Sequence, residues 1–240
     1  MARVTLCLSP HLDDGVLSCA SLLSQVERPV IATFYTSGDR IFFARRKEDR
    51  EACRRLGAEC RHMGLPDDRF RNFVKIVGGQ AKITKRTQEA LAGLLEELDP
   101  ELVLAPMGVG NHVDHRVLRD AATAIVPAER LLYYEDRPYA FVRGQVEFTL
   151  GLRPTPDWRS YFAAHYVKTY LGSFPQETVK AAFAAALPFP GLTCVRQLPP
   201  PDLEPLRAYE TQLADLFASP AAMAKCYASR PECYWAKTPA

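Results

Sequence analysis

Apolar residues over the first 136 positions switch between two periods. Val4–Leu8 is a compact apolar run of the kind that forms a buried strand. Val16, Leu17, Ala20 and Leu23 then fall on one helical face, with Asp13 or Asp14 standing where a cap belongs. Val30–Tyr35 predicts a second strand, closed by the turn residues Ser37-Gly38-Asp39. A helix is predicted over about 44–56, stopped by Gly57. A short third strand over 61–64 follows, then a helix over 84–98 carried by Thr87, Leu91, Leu94, Leu95 and Leu98. Leu102–Ala105 predicts strand four, 114–125 a helix, and Leu131–Tyr134 strand five.

Strand and helix alternating in this way predict an α/β fold, a Rossmann-like, doubly wound, mostly parallel sheet with order 3-2-1-4-5 at its centre. Beyond residue 136 the pattern changes. Val142–Leu152 shows partial alternation, a helix is predicted around Val179, Phe183 and Leu187, and Pro199-Pro200-Pro201 separates it from a last helix over about 203–217. The expectation is a single domain, 1–240, in which 1–136 is the α/β core and 137–240 an elaboration packed on it.

Charge and cysteine content narrow the function. With 30 basic and 28 acidic residues the net charge is +2, which gives no electrostatic case for nucleic acid or a membrane surface. Arg45-Arg46-Lys47, followed by Glu48 and Asp49, reads for the most part as a solvated helix face laced with ion pairs. No apolar stretch approaches the roughly 20 residues of a membrane span, and Asp13 and Asp14 interrupt the only apolar run near the start. The seven cysteines are odd in number and lack CxxC spacing, so reduced core thiols and a cytoplasmic protein are expected, with pairing left open for Cys226 and Cys233.

Candidate chemistry is concentrated in two segments. Three of the five histidines lie in His11-Leu12-Asp13-Asp14 and His112-Val113-Asp114-His115, each beside aspartates. Imidazole and carboxylate are the ligands of a zinc-type divalent metal. The first segment follows predicted strand one and the second follows strand four. In a 3-2-1-4-5 sheet these two strand ends flank the crevice where ligands bind. His11 and Asp14 are three apart, as are His112 and His115, so each pair can face one point. Either segment alone has a plain reading, a helix cap for the aspartates and a surface pair for the histidines. At matching strand ends they read as one metal site. His62 and His165 are isolated and read as structural.

At these residues the chain resembles the LmbE/PIG-L family of zinc-dependent N-deacetylases, whose pattern is His-Pro-Asp-Asp-Glu followed about a hundred residues later by His-x-x-His. Arg45-x-x-Glu48, the segment Tyr133-Tyr134-Glu135-Asp136-Arg137-Pro138-Tyr139 and Ala208-Tyr209-Glu210-Thr211-Gln212-Leu213 are also similar to family members. Leu12 and Gly15 depart from the pattern, in place of proline and glutamate. The resemblance implies that His11, Asp14 and His115 bind Zn2+, with another divalent ion such as Fe2+ as the variant. It implies Asp13 as general base, His112 as oxyanion stabiliser and acid, Asp114 as the support of that histidine, and Arg45 on the substrate side. The implied activity is removal of an acetyl or other acyl group from the nitrogen of a small N-acyl amino sugar or glycoconjugate.

Three other readings are open. They are a zinc amidase acting on a non-sugar amide, a non-haem iron oxygenase built on the same two-histidine, one-carboxylate set, and a non-catalytic binding module. No GxGxxG turn follows strand one, so dinucleotide binding has no motif. Crevice walls are expected from 36–45, 64–80 and 133–175, where Trp158, Tyr161 and Tyr166 could stack on a sugar ring, although core packing is their plainer use.

Overall fold

A computed structural model describes residues 3–67, 79–153, 157–165 and 188–238. Its centre is a seven-stranded sheet of order β3-β2-β1-β4-β5-β7-β6. Strands β1 (Val4–Ser9), β2 (Arg28–Thr33), β3 (Glu59–His62), β4 (Leu102–Pro106) and β5 (Leu131–Tyr134) are all parallel. The predicted order 3-2-1-4-5 is therefore the observed one.

Every residue of β1 is buried, because both sheet faces are covered. Leu6 and Leu8 point into one core with Leu91, Leu94, Leu118 and Ala122. These belong to α3 (Gly79–Leu98) and α4 (Val113–Ile125). Cys7 points to the opposite face, into a second core with Leu17, Ala20, Ala52 and Cys53 of α1 (Asp14–Leu23) and α2 (Ile41–Leu56). Gly57 ends α2 in the left-handed conformation, φ 75°, as the sequence predicts.

The C-terminal part departs from expectation. The alternation over 142–152 resolves as a short helix, α5 (Gln145–Thr149), preceded by a 3-10 turn Tyr139–Phe141. Val142 and Val146, both buried, are four apart and serve a helix as well as a strand. The expected helix around Val179, Phe183 and Leu187 lies outside the described residues. The last predicted helix is a 3-10 turn Leu206–Ala208 followed by α7 (Glu210–Leu216), the short α6 being Trp158–Ala163. Two strands and a helix were not foreseen: β6 (Leu192–Leu198), α8 (Pro220–Ser229) and β7 (Glu232–Lys237). β7 pairs antiparallel with β5 and extends the sheet, and β6 closes its edge. Cys226 and Cys233 fall in these elements, and all seven cysteines are free thiols. Among the described residues no helix is long and apolar enough to cross a membrane.

Candidate metal centre

β1 pairs with β2 on one side and β4 on the other, so the chain direction of winding reverses between β1 and β4. The two motifs emerge on either side of that point and meet. Asp13 occupies the N-cap position of α1 without making a side-chain capping bond. Asp14, the first residue of the helix, turns its carboxylate back over the turn and accepts the His11 backbone N–H at 2.9 Å. Neither carboxylate is spent as a simple cap.

Three donor atoms converge. His11 Nδ1 lies 3.0 Å from Asp14 Oδ2, His115 Nε2 lies 3.2 Å from the same oxygen, and the two ring nitrogens are 3.3 Å apart. A tetrahedral zinc ion with bonds of 2.0–2.1 Å holds its donors about 3.3 Å apart. The triangle fits that ion with almost no movement. The outer ring nitrogens are also fixed. His115 Nδ1 donates to Asp136 Oδ1 at 2.6 Å, and His11 Nε2 faces Asp114 Oδ2 at 3.2 Å and Asp67 Oδ2 at 3.8 Å. A carboxylate behind each imidazole orients the ring and leaves the other nitrogen's lone pair for a metal.

Charge follows the same logic. Burial works against a charged His115, but Asp14 and Asp136 more than offset it and hold the ring at about 9. His11 is likewise raised, by Asp14, Asp67 and Asp13 against its burial. Asp14 is buried too, yet His115 and His11 draw its carboxyl well below the usual range. Protons on the histidines thus supply positive charge that a divalent cation would otherwise bring. Asp13 is different. Burial and the neighbouring Asp14 push it up to about 7, against the opposing charge of Arg45.

A profile for the family described as PIG-L, GlcNAc-PI de-N-acetylase, matches residues 6–126, half of the chain and the part that carries both motifs. The chain belongs to the PIG-L family. It is 34% identical over 173 residues to the 2'-N-acetylparomamine deacetylase of Streptomyces fradiae, a match spanning 62% of this chain and 62% of that protein. Two solved structures share its fold. The A40926 pseudoaglycone deacetylase Dbv21 has a TM-score of 0.65 at 24% identity, covering 100% of this chain and 99% of that one. The zinc-inhibited form of teicoplanin deacetylase Orf2 has a TM-score of 0.66 at 17% identity, covering 97% of each chain.

The other residues implied by the PIG-L pattern gather at the same place, with some differences. His112 caps α4, its Nδ1 accepting the Asp114 N–H at 3.2 Å, and its ring sits edge-on 4.8 Å from that of His11. The resemblance assigns Asp114 to the support of His112; its carboxylate reaches His11 Nε2, and the bond it gives His112 comes from its backbone. Arg45 and Asp49 are 8% and 1% exposed, so the inner face of α2 is not the solvated face expected of that segment. Glu48 is engaged as well, accepting the Thr211 N–H and hydroxyl. Gly15 faces the sheet, where a Cβ would stand 3.1 Å from both Ser9 Cβ and Ile31 Cγ2, so its departure from the family pattern is a matter of packing. Trp158 and Tyr161 fall on α6, and Tyr166 lies outside the described residues, as do 68–78, 154–156 and 166–175 of the expected crevice walls.

Sequence reasoning missed Asp136, Asp67 and Gln212. Asp136 is fully buried, and its second oxygen accepts the Gly108 and Val109 N–H groups at 2.7 Å. Gln212 donates to the Leu12 carbonyl at 2.8 Å, bracing the first motif from the C-terminal part. The available signals were the position of Asp136 just past β5 and the family-like segments around it and around Gln212.

Proposed function

We propose that the protein is a zinc-dependent N-deacetylase that hydrolyses the acyl amide of an amino sugar, of the aminoglycoside or glycopeptide kind. The observation that carries this reading is the donor triangle of His11, Asp14 and His115 with a carboxylate behind each imidazole. Membership of the PIG-L family and the likeness to a 2'-N-acetylparomamine deacetylase support the bond and the substrate class.

His11 Nδ1, Asp14 Oδ2 and His115 Nε2 would hold the ion. When bound, zinc supplies Lewis acidity, polarising the amide carbonyl and making water a nucleophile near neutral pH. The side chains do the rest. Asp13, with a carboxyl at about 7, is matched to take the proton of the attacking water and to pass it to the departing nitrogen. His112 accepts a backbone N–H at Nδ1, so in its neutral form the ring carries its proton on Nε2. That N–H would serve the developing oxyanion as a donor. The balance is one water and one amide giving a carboxylate and an ammonium ion, the water's protons ending on the departing nitrogen. Arg45, whose charge acts on Asp13, tempers the rise of its pKa.

The test is amine release from N-acetyl aminoglycosides and N-acyl glycopeptides by the zinc-loaded protein. Asp13→Asn should lower kcat by about 10² to 10⁴-fold with zinc content unchanged, and His115→Ala should lose both metal and activity. Turnover by Asp13→Asn at the wild-type rate would remove the base assignment. Failure to release amine from any N-acyl sugar would remove the substrate class.

A further inference from the structure

A second cluster of metal-ligand atoms stands away from the crevice, between α2 and the edge strand β3. Asp49 and Cys53 are four apart on α2 and share its inner face. Cys60 and His62 are two apart on β3 and share one face of the strand. The turn at Gly57 folds one pair onto the other. A carboxylate oxygen of Asp49 and the thiols of Cys53 and Cys60 all lie within 4.8 Å of one another. His62 Nε2 completes the set, 2.9 Å from Asp49 Oδ2 and 3.3 Å from Cys60 Sγ.

We propose that Asp49, Cys53, Cys60 and His62 form a second binding site for a thiophilic divalent cation of zinc type, independent of the hydrolytic centre. Two sulfurs, an imidazole and a carboxylate are a zinc-type donor set, and tetrahedral coordination would place sulfur about 3.5 Å from nitrogen and about 3.8 Å from sulfur. The one sulfur-to-nitrogen separation, His62 Nε2 to Cys60 Sγ at 3.3 Å, lies within a few tenths of an ångström of that value. The carboxylate is already oriented from outside, Tyr209 donating to Oδ1 at 2.7 Å and Thr33 to Oδ2 at 3.1 Å. β3 is the edge strand, and the His62 side chain is 10% exposed, which gives an ion a route in. With two thiolates, one carboxylate and a neutral imidazole, the bound ion would leave a net charge of −1 on the cluster. Its role is structural: Arg45 sits two turns before Cys53 on the same helix, so an ion here pins the helix that carries the arginine.

The test uses the full chain, reduced and stripped of metal, titrated with Co2+. The wild type should take up two equivalents, one of which gives thiolate-to-cobalt charge-transfer absorption. His115→Ala should keep one equivalent and the whole of that band. Cys53→Ser and Cys60→Ser should each lose at least half of it while keeping the ligand-field bands of the other ion. Should the serine variants fail to fold, His62→Asn should weaken the thiolate-bound equivalent tenfold or more. A wild type that binds one equivalent without the charge-transfer band overturns the proposal. So does a band that persists undiminished in both serine variants, or an affinity that His62→Asn leaves unchanged.

Discussion

His115 presents Nε2 to the crevice because Asp136 holds the opposite nitrogen at 2.6 Å. Asp136 in turn cannot rotate, since its other oxygen accepts two backbone N–H groups. An asparagine there faces a conflict. If its single oxygen keeps the two backbone donors, its amide N–H points at His115 Nδ1, which must then accept, and the ring proton moves to Nε2. That tautomer has no lone pair for a metal. Asp136→Asn should therefore weaken zinc binding about 10- to 100-fold, with kcat falling in parallel and the fold intact; competition against a chromophoric chelator reads the affinity directly. Retention of wild-type affinity would show that Asp136 does not set the tautomer. The contrast with the ligands explains what could be read in advance. His11, Asp14 and His115 declare themselves through spacing within a turn, which short-range geometry dictates. Asp136 and Asp67 meet the histidines only through the register of β4 with β5 and the path after β3, and no local pattern encodes that. Arg45 and Asp49 failed for another reason. A charged residue reads as solvent-facing unless its partner is known, and their partners include Asp13, 32 residues before Arg45, and Tyr209, 160 residues after Asp49.

At the scale of elements, α1 depends on the C-terminal hairpin as much as on the sheet beneath it. Glu232, the first residue of β7, is 1% exposed and accepts the Ser21 and Leu22 N–H groups at 2.8 and 3.1 Å together with the Tyr234 hydroxyl. Tyr227 of α8 donates to the Leu17 carbonyl at 2.8 Å. The helix that begins with Asp14 thus has part of its backbone hydrogen bonding completed by residues more than 200 positions away. Glu232→Ala would leave buried donors unmatched, at about 1–3 kcal/mol for each such group, and the predicted outcome is a loss of about 3 kcal/mol in denaturant unfolding. The variant should also lose zinc affinity, because α1 carries Asp14; a stability loss with metal binding fully preserved would uncouple the two. Helices and strands of the parallel core were legible because each is buried on a repeating face. β6 and β7 were not. β6 is largely exposed, with Val195 at 54%, and a register shift between Cys194 and Arg196 breaks its alternation. β7 offers only a brief apolar run, Cys233-Tyr234-Trp235, whose partners in β5 lie a hundred positions upstream.

For the molecule as a whole, the buried titratable groups make stability depend on pH in a way that metal should reverse. His115 and His62 are both held at about 9, above the ordinary 6.5 of histidine, because carboxylates offset their burial. A folded-state pKa raised above the unfolded one contributes stability that is complete below 6.5 and is lost as pH rises through 9. Asp13, raised to about 7, acts in the same direction over a lower window, since its proton is held more tightly in the fold than in the open chain. The fully buried His115 contributes on the order of 3 kcal/mol, and the less deeply buried His62 less because solvent screens it. The metal-free protein should accordingly show a Tm that declines steadily from pH 6 to pH 9. Zinc alters the balance because it replaces the histidine protons with a charge that does not titrate, and its affinity rises as those protons leave. The gap in Tm between zinc-loaded and chelated protein should therefore widen across the same range. Calorimetry at matched ionic strength, on wild type and on His115→Ala, separates the contributions. If the hydrolytic centre dominates, His115→Ala removes most of the widening; if the Cys53–Cys60 cluster also takes zinc, part of it survives. A chelated protein whose Tm stays flat between pH 6 and pH 9 would contradict the raised pKa values of His115 and His62.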